Sequence, residues 1–431
     1  MTTTPLHLRR TARMRGGLML AAEAFDHLAS RVHEFHRAIS DLPFRALRLT
    51  PGVRAGSEVV GRLHDTVTDG VYAQVRGVAR IVFSLANAGL RRLEVMPMAA
   101  LAVPSSPMDA IAMSRARTRQ ALVSAVSGLV GDHMAARRNP LSIRIGIHRN
   151  GARVAATRSA LTAAFPDASP RIAVFVHGLC SSEHVWEMFQ KPGDPQTEPY
   201  GPRLARDLGY TPVYVRYNSG QHISLNGRSC ARLLERLHAH WPVPVHEIVL
   251  IGHSMGGLVA RSAADVAAAR GSAWVGALRQ LICLGSPHLG APLEQFVHLG
   301  TCAMKRLSLS RPWARLLDSR SLGIKDLRWG YTQDHEWKGR DPDAFWTRDR
   351  LQSAPVPGVR YRFLGTCLTR DPAHPVARMI GDGLVRLPSS LALDVAGADG
   401  AMRAQLDHMR VLNHPDVYAQ LLRWLQEPAA A

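Results

Sequence analysis

Ser254 lies in the stretch EIVLIGHSMGGLVARSA, residues 247–263, with a glycine two positions before it and another two positions after it. Strand-forming residues precede this serine and helix-forming residues follow it. In a G-x-S-x-G turn the chain passes sharply from strand to helix, and strain at the tip exposes the serine hydroxyl. Side chains at Gly252 and Gly256 would collide with neighbouring backbone, while Gly257 lets the helix pack closely. The pattern predicts that Ser254 is a nucleophile.

The acid of this chemistry is predicted to be Asp382. A serine hydroxyl is a weak nucleophile, so it needs a base and an acid that orients the base. In proteins with this turn, the acid and then the histidine follow the serine along the chain. Asp382 lies between two glycines in MIGDGLVRLPSS, after a strand-like run, where sites in open α/β sheets occur. The alternative interpretation is an ordinary Asp-Gly turn. Weaker candidates in polar loops are Asp371, Asp394 and Asp399.

The base is predicted to be His408, one of two histidines in QLDHMRVLNHPDVYAQLLRWL. It follows a short apolar segment and precedes the last predicted helix by a few residues. His414 stands directly before Pro415, and we expect it to help start that helix. His288, in GSPHLG, precedes the acid along the chain, so we expect it to be structural or to line a pocket.

Acyl transfer also needs two donors for the oxyanion. One comes from the residue after the nucleophile, at the start of the helix, and the other comes from the loop after an earlier strand. These positions predict the backbone N–H groups of Met255 and of Leu179, the latter in VHGLCSS. Cys180 is the alternative one position later. His177 is expected to shape this loop and not to act as the base.

From about residue 170 onwards the sequence alternates between strand-like and helix-like segments. The predicted strands are 171–178, 211–218, 247–252, 278–288 and 359–366. The predicted helices are 184–190, 227–241, 255–270 and 414–426. Strands that alternate with helices indicate a parallel sheet covered on both faces. The predicted fold class is therefore α/β, with a mostly parallel central sheet.

Residues 1–169 are predicted to form a helical region, because apolar residues recur there at three- and four-residue spacing. They are Val71, Val75, Val78, Val82 and Leu85 in one segment and Leu122, Val126, Leu129 and Val130 in another. A proline-bearing linker, VMPMAALAVPSSP, separates the two segments. The region is either a surface-binding helical module or a helical prefix docked on the main domain.

Residues 291–350 lie between two predicted core strands and are predicted to form a cap. The segment holds four of the eight tryptophans of the chain. Its aromatic residues are Phe296, Trp313, Trp329, Tyr331, Trp337, Phe345 and Trp346. An apolar cap would favour a substrate with an acyl chain over a small polar one. Alternatively, these side chains only attach the cap to the core.

The chain is strongly basic, with a formal net charge of +19. Residues 1–169 hold 23 arginines, no lysine and 11 acidic residues. A basic face suggests attraction to an anionic membrane, a granule or nucleic acid, although a general bias towards alanine and arginine explains it equally well. Aromatic residues do not interleave with these arginines, so no nucleic-acid partner is expected. Peripheral contact with a membrane or lipid surface through the basic region is expected instead.

Cysteine usage and hydropathy predict a cytoplasmic protein. Its five cysteines are scattered and form no C-x-x-C pair, which favours free thiols in a reducing compartment and gives no support for a zinc site. The N-terminal stretch has arginines before a short apolar run, but acidic residues follow at once without a convincing cleavage site. No segment reaches the ~20 apolar residues of a membrane span.

The motifs FVHGL, GHSMGGLVAR, GSPHLGAP, GDGLV and DHMRVLNHPDVYAQLLRWL occur in this order. Over about residues 170–427 the chain resembles the α/β-hydrolase superfamily, and within it the lipase and esterase branch. It is similar to triacylglycerol lipases and, more loosely, to hydrolases that remove acyl groups from lipid-anchored substrates. The resemblance implies a triad of Ser254, Asp382 and His408 in an α/β-hydrolase domain at 170–431.

The function expected from these residues is hydrolysis of apolar acyl esters through an acyl-enzyme, with no metal and no organic cofactor required. Two alternatives use the same sequence differently. An acyltransferase would pass the acyl group to an acceptor other than water. A lipid- or granule-surface binding protein would keep the hydrolase domain only as a relic.

Overall fold

The computed structural model describes residues 54–95, 107–139, 141–191, 193–291, 320–339, 354–371, 374–392 and 399–427, together with scattered positions between 18 and 40. Contacts within the chain divide it into two compact units, Met1–Val123 and Ser124–Ala431. No helix in the described part of the chain combines the length and the apolar character needed to span a bilayer.

Two long helices precede the sheet, α1 (Arg54–Val95) and α2 (Pro107–Ala136), the second with a kink at Val130. Both segments that the sequence predicts as helical are therefore helices. The predicted apolar face of α1 is only partly covered, since Val78 is 56% and Leu85 is 55% exposed. Tyr72 is instead among the buried residues of α1.

A single eight-stranded sheet forms the core of the second unit, with strand order β2-β1-β4-β3-β5-β6-β7-β8. Its strands are β1 (Gly146–Arg149), β2 (Ala152–Val154), β3 (Arg171–Val176), β4 (Thr211–Arg216), β5 (Glu247–His253), β6 (Leu278–Leu284), β7 (Arg360–Cys367) and β8 (Asp399–Ala404). The pairs from β4 through β8 are parallel, whereas β1 runs antiparallel to both β2 and β4. The predicted α/β fold with a mostly parallel sheet is confirmed.

Helices cover both faces of this sheet. They are α3 (Arg158–Ala164), α4 (Tyr200–Leu208), α5 (Ile223–His240), α6 (Met255–Ala269), α7 (Leu322–Leu327), α8 (Asp334–Trp337), α9 (Pro375–Ile380), α10 (Leu387–Ser390) and α11 (Pro415–Gln426). Alternate residues of β3 face opposite sides because side chains in a strand alternate. Val174 joins a core with Leu234 of α5, while Phe175 joins a second core with Leu204 of α4.

The sequence did not predict three of the strands, which are β1, β2 and β8. The first two form a hairpin at one edge of the sheet, and β8 forms the other edge. Each of the three contains exposed residues, so none has the long apolar run that is typical of the central strands. The helix predicted at 184–190 is wrong: only a 3₁₀ turn over Glu183–Glu187 is present, and Phe189 has a left-handed φ of 62°.

The described part of the second unit begins before the boundary that the sequence predicts at residue 170. The hairpin β1–β2 and α3 lie within residues 1–169, yet β1 pairs with β4 of the main sheet. The compact units separate between Val123 and Ser124. Short edge strands have little apolar periodicity, so periodicity alone does not reveal that these elements precede residue 170 in the same sheet. The boundary at residue 170 stays a prediction.

Of the predicted cap, the structure describes residue 291 and residues 320–339, and the latter segment contacts the rest of the second unit. Trp337 stacks on His222 with ring centroids 3.7 Å apart and donates from Nε1 to Ser224 Oγ at 3.0 Å. Tyr331 is 9% exposed. The predicted cap aromatics that lie outside the described residues are Phe296, Trp313, Phe345 and Trp346.

Candidate active site

Ser254 occupies the turn between β5 and α6 and has φ 53° and ψ −126°. This is a strained conformation for a residue other than glycine. Two backbone bonds hold the turn, from Ser254 N to Leu284 O at 2.9 Å and from Gly257 N to Ser254 O at 3.1 Å. Ser254 is partly exposed although the residues on both sides of it are buried. The turn therefore presents the serine at the carboxyl edge of the sheet.

The glycines around Ser254 are required by close packing. A Cβ atom on Gly252 would lie 2.4 Å from Gly257 N, and one on Gly256 would lie 2.1 Å from Val176 O. A Cβ on Gly257 would lie 2.1 Å from Ser286 Oγ. The predicted collisions with backbone at the first two positions and the close helix packing at the third are confirmed.

Asp382 and His408 are brought together from two separate loops. His408 Nδ1 donates to Asp382 Oδ2 at 2.8 Å, and the backbone N–H of His408 donates to Asp382 O at 3.1 Å. The other carboxylate oxygen, Oδ1, accepts from Leu384 N at 3.0 Å and Val385 N at 2.8 Å. Asp382 is fully buried. This geometry fixes the His408 tautomer, with the proton on Nδ1 and the lone pair on Nε2.

The end of β6 connects the serine turn to this pair. Leu284 O accepts from Ser254 N, and Gly285 follows at once. A Cβ on Gly285 would lie 3.3 Å from Asp382 Oδ2 and 3.5 Å from His408 Nδ1. Because one strand end touches both the turn and the carboxylate–imidazole pair, all three predicted triad residues lie around the same point of the sheet edge.

The Asp382 carboxylate sets the charge state of His408. Burial by itself would lower the pKa of His408, but the charge of Asp382 and its hydrogen bond raise that pKa above the usual 6.5. A raised pKa makes the imidazole a stronger proton acceptor than a buried histidine without an acidic partner.

His253 anchors the backbone of His408 and was not singled out from the sequence. Its Nε2–H donates to His408 O at 3.0 Å, and the two rings lie 5.0 Å apart. Burial lowers the pKa of His253 to about 3, so the ring is neutral. A neutral ring beside the base avoids a competing positive charge. Its position directly before Ser254 was the only available signal in the sequence.

The loop after β3 lies beside Ser254, where a Cβ on Gly178 would be 3.1 Å from Ser254 Cβ. The N–H of Cys180 already donates to Ser219 Oγ at 3.1 Å, which favours the N–H of Leu179 as the free donor of this loop. Met255 is the first residue of α6, and the first N–H groups of a helix have no partner within it. Leu179 and Met255 thus remain the predicted oxyanion donors.

A family model described as a PGAP1-like alpha/beta domain matches residues 172–304. The matched range holds β3, the Leu179 loop and the serine turn, in the strand order described above. Over these residues the chain is similar to that domain. The superfamily resemblance seen in the sequence is therefore confirmed.

Among solved structures, lipases and esterases are similar to this chain at low sequence identity. A Staphylococcus hyicus lipase is 14% identical, with a TM-score of 0.35, over 60% of this chain and 95% of that one. A Pyrobaculum calidifontis esterase is 13% identical, with a TM-score of 0.36, over 74% of this chain and 97% of that one. A search of curated proteins gave no match. The proposed chemistry therefore rests on the geometry of the described residues.

The histidines that compete with His408 make other contacts within the second unit. His177 holds the loop after β3 that contains Leu179, which we call the oxyanion loop. Its Nδ1 lies 2.8 Å from Gly178 O, and its Nε2 accepts from Tyr217 N at 3.2 Å. His288 Nδ1 lies 2.9 Å from Arg261 Nη1, and burial lowers the pKa of this histidine well below 6.5. The roles expected for both fit these contacts.

The remaining candidates for the base and the acid near the C-terminus lie in other surroundings. His414 Nδ1 accepts from Asp416 N at 3.3 Å and caps the first turn of α11, as expected. Asp399 pairs with Arg362, and Asp371 is exposed. Asp394 lies outside the described residues. Within the described ranges, no group of three histidine, cysteine or acidic residues could hold a metal ion.

Asn218 links the end of α2 to the oxyanion loop. Its Nδ2 donates to Gly131 O at 2.8 Å, and its Oδ1 accepts from Ser127 Oγ at 2.9 Å and from Gly220 N at 3.0 Å. Asn218 is 2% exposed. The next residue, Ser219, accepts the N–H of Cys180. One buried amide thus ties the helix before the sheet to the backbone that carries the predicted oxyanion donor.

We expect Asn218→Ala to lower kcat for ester hydrolysis by roughly 10- to 100-fold with a smaller change in KM. Loss of these bonds lets the oxyanion loop move, and a misplacement of about 1 Å can cost ~10²-fold in rate. The measurement is steady-state kinetics per active site, counted by active-site titration so that unfolded protein is excluded. The control is Asn139→Ala, because Asn139 is exposed and its side chain accepts a local hydrogen bond from Leu141 N. An unchanged kcat in Asn218→Ala would show that the loop is held without this amide.

Proposed function

We propose that the protein is a serine hydrolase that cleaves carboxylic esters of lipids or other apolar acyl compounds. The observation that supports this proposal is the 2.8 Å hydrogen bond between His408 Nδ1 and Asp382 Oδ2. This pair lies next to the end of β6, which also accepts the backbone N–H of Ser254. That arrangement supplies a nucleophile, a base of fixed tautomer and a buried acid. It supports acyl transfer through a covalent intermediate.

In the proposed reaction, His408 Nε2 takes the proton of Ser254 while the serine oxygen attacks the ester carbonyl. Asp382 holds the imidazole by Nδ1 and stabilises the imidazolium that forms. The N–H groups of Leu179 and Met255 bind the tetrahedral oxyanion. His408 then protonates the leaving alcohol, and water repeats the sequence on the acyl-enzyme.

Apolar surroundings support an acyl substrate. The described cap segment lies close to the site, since a Cβ on Gly323 would be 3.1 Å from the Cε atom of Met255. Met255, Leu327 and Tyr331 are all buried. Apolar side chains beside a binding site favour apolar ligands.

Peripheral contact with a lipid surface through the basic N-terminal region accompanies this proposal. Exposed apolar residues on α1 support it, since Val78, Ile81 and Leu85 are 56%, 61% and 55% exposed and recur at helical spacing. Together with the excess of arginine in residues 1–169, they suit an anionic membrane surface. A cytoplasmic location remains part of the same proposal.

The test is a series of p-nitrophenyl esters with acyl chains from two to twelve carbons. We expect kcat/KM to rise with chain length, by up to roughly fourfold for each CH₂ that becomes buried. A flat or falling profile would contradict the apolar acyl substrate. A fluorophosphonate probe tests the nucleophile separately, and its adduct is expected on the peptide that contains Ser254. An adduct on another serine would contradict the assignment.

The same assay separates hydrolysis from acyl transfer. Products are compared with and without an added alcohol of medium length. The free acid is expected to remain the main product. If the new ester becomes the main product, the proposed hydrolase is an acyltransferase on the same three residues.

A further inference from the structure

A cavity of about 540 Å³ lies at the outer edge of the sheet, between the β1–β2 hairpin and α5. It is separate from the proposed active site. The hairpin stands three to four strands away from β5, which corresponds to about 14–19 Å. Its volume falls within the usual range for small-ligand pockets.

Three arginines line this cavity, Arg153 from β2 and Arg232 and Arg236 from α5. No acidic residue is among the residues that line it. Arg232 and Arg236 are four residues apart, so they lie on the same face of the helix and repel each other. Among the described residues, none of the three guanidinium groups pairs with a carboxylate, whereas many other arginines of this domain do. The cavity therefore concentrates positive charge that no carboxylate in the described part of the chain neutralises.

The guanidinium group of Arg153 is held in place by the backbone. It donates from Nη2 to Ile145 O at 2.9 Å. A Cβ on Gly146 would lie 2.6 Å from Arg153 Nε, so glycine at this position leaves room for the side chain. On the opposite wall, Arg232 Nη2 donates to Ser229 Oγ at 3.4 Å. A donor fixed in advance loses little freedom when an anion binds.

The rest of the cavity wall is largely apolar and includes Ile145, Val154 and Leu233. A bare inorganic anion would satisfy the arginines but would leave these side chains in contact with water. An anion attached to an organic body satisfies both parts of the wall. Phosphate esters suit arginine in particular, because the guanidinium fork matches two phosphate oxygens.

We infer that this cavity is a binding site for an organic phosphate, with the phosphate group at Arg153, Arg232 and Arg236 and its organic body against the apolar wall. The shared chemistry is a phosphate ester, which either a phospholipid headgroup or a soluble metabolite supplies. The site does not depend on the proposed ester hydrolysis, because none of its residues belongs to the proposed triad or oxyanion hole.

The test uses the full-length chain and three probes: hexyl phosphate, inorganic phosphate and vesicles that contain phosphatidylglycerol. Hexyl phosphate is expected to bind at least tenfold more tightly than inorganic phosphate in calorimetric titration. The variant Arg232→Gln/Arg236→Gln is expected to weaken hexyl phosphate binding by at least tenfold. An unchanged thermal midpoint of this variant shows that the domain is folded.

The matched control is Arg270→Gln/Arg279→Gln, which removes the same charge from exposed positions outside the cavity. It is expected to bind hexyl phosphate within about twofold of the wild type. Equal weakening in both double variants would overturn the inference, because net charge alone would then account for binding. Equal affinity for the two soluble phosphates would overturn it as well.

A third variant fills the cavity without changing its charge. Ala155 is exposed and lines the cavity, so Ala155→Trp is expected to weaken hexyl phosphate binding by at least tenfold. Unchanged binding would overturn the assignment of the cavity. Vesicle sedimentation then identifies the source of the ligand. Vesicle binding that the Arg232→Gln/Arg236→Gln variant loses supports a phospholipid headgroup, and unaffected vesicle binding beside lost hexyl phosphate binding supports a soluble phosphate ester.

Discussion

Replacing Ser254 with alanine is expected to lower kcat for a p-nitrophenyl acyl ester by about 10⁴- to 10⁶-fold. The change removes the only atom that can form the proposed acyl-enzyme, while the oxyanion donors and the substrate pocket stay in place. Alanine is smaller than serine and keeps the Cβ atom, so packing against Gly178 is retained. Steady-state kinetics of the variant and of the wild type at the same protein concentration give the ratio directly.

Ser272→Ala is the matched control for this result. Ser272 lies beyond the opposite end of α6 and directly before the 3₁₀ turn Ala273–Ala277, to which its side chain makes no capping bond. Its replacement is expected to leave kcat within about twofold of the wild type. Undiminished turnover in Ser254→Ala, with the adduct of the fluorophosphonate probe retained, would remove Ser254 from the mechanism and with it the proposed function.

Asp382→Asn is expected to lower kcat by about 10⁴-fold without a comparable rise in KM. The amide can present an N–H to His408 where the carboxylate now accepts one, so the ring turns to the wrong tautomer. Because Oδ1 also accepts from Leu384 and Val385, part of the loop geometry remains in the variant. The thermal midpoint is measured alongside kcat to separate local from global damage.

The pH profile gives a second readout of Asp382. His408 must be neutral to accept a proton, so kcat/KM falls as the pH falls through its pKa. Asp382 raises that pKa above 6.5, and the acid limb of the wild type is expected above pH 6.5. In Asp382→Asn, burial acts on His408 without the carboxylate, so the limb shifts to lower pH. A limb that stays in place would indicate that another acid holds the base.

Asp371→Asn is the control that tests the choice of acid. Asp371 is also a loop aspartate downstream of β7, but it is exposed. Its replacement is expected to leave both kcat and the acid limb unchanged. A large loss in Asp371→Asn together with a small loss in Asp382→Asn would reverse the assignment.

Local sequence determined the centre of the sheet and the serine turn. The strands β3, β5 and β6 are buried on both faces, so each is a nearly continuous apolar run that is visible without any contact information. The glycines of the turn are equally visible, because the backbone approach that requires them is set within a few residues of Ser254. Chain order then singled out Asp382 and His408 among several candidates.

Only the tertiary structure decided the edge strands of the sheet and the contacts between segments that are far apart along the chain. The strands β1 and β2 are short and β8 is largely exposed, so their pairing with neighbours, and not their composition, makes them strands. The bond of His253 to His408 spans 155 positions of the chain and that of Asn218 to Gly131 spans 87. The Arg153 cavity likewise joins a hairpin to a helix more than 70 residues later. Hydrogen bonds and cavities between segments so far apart leave no periodic signal, since periodicity records only which face of its own element a residue occupies.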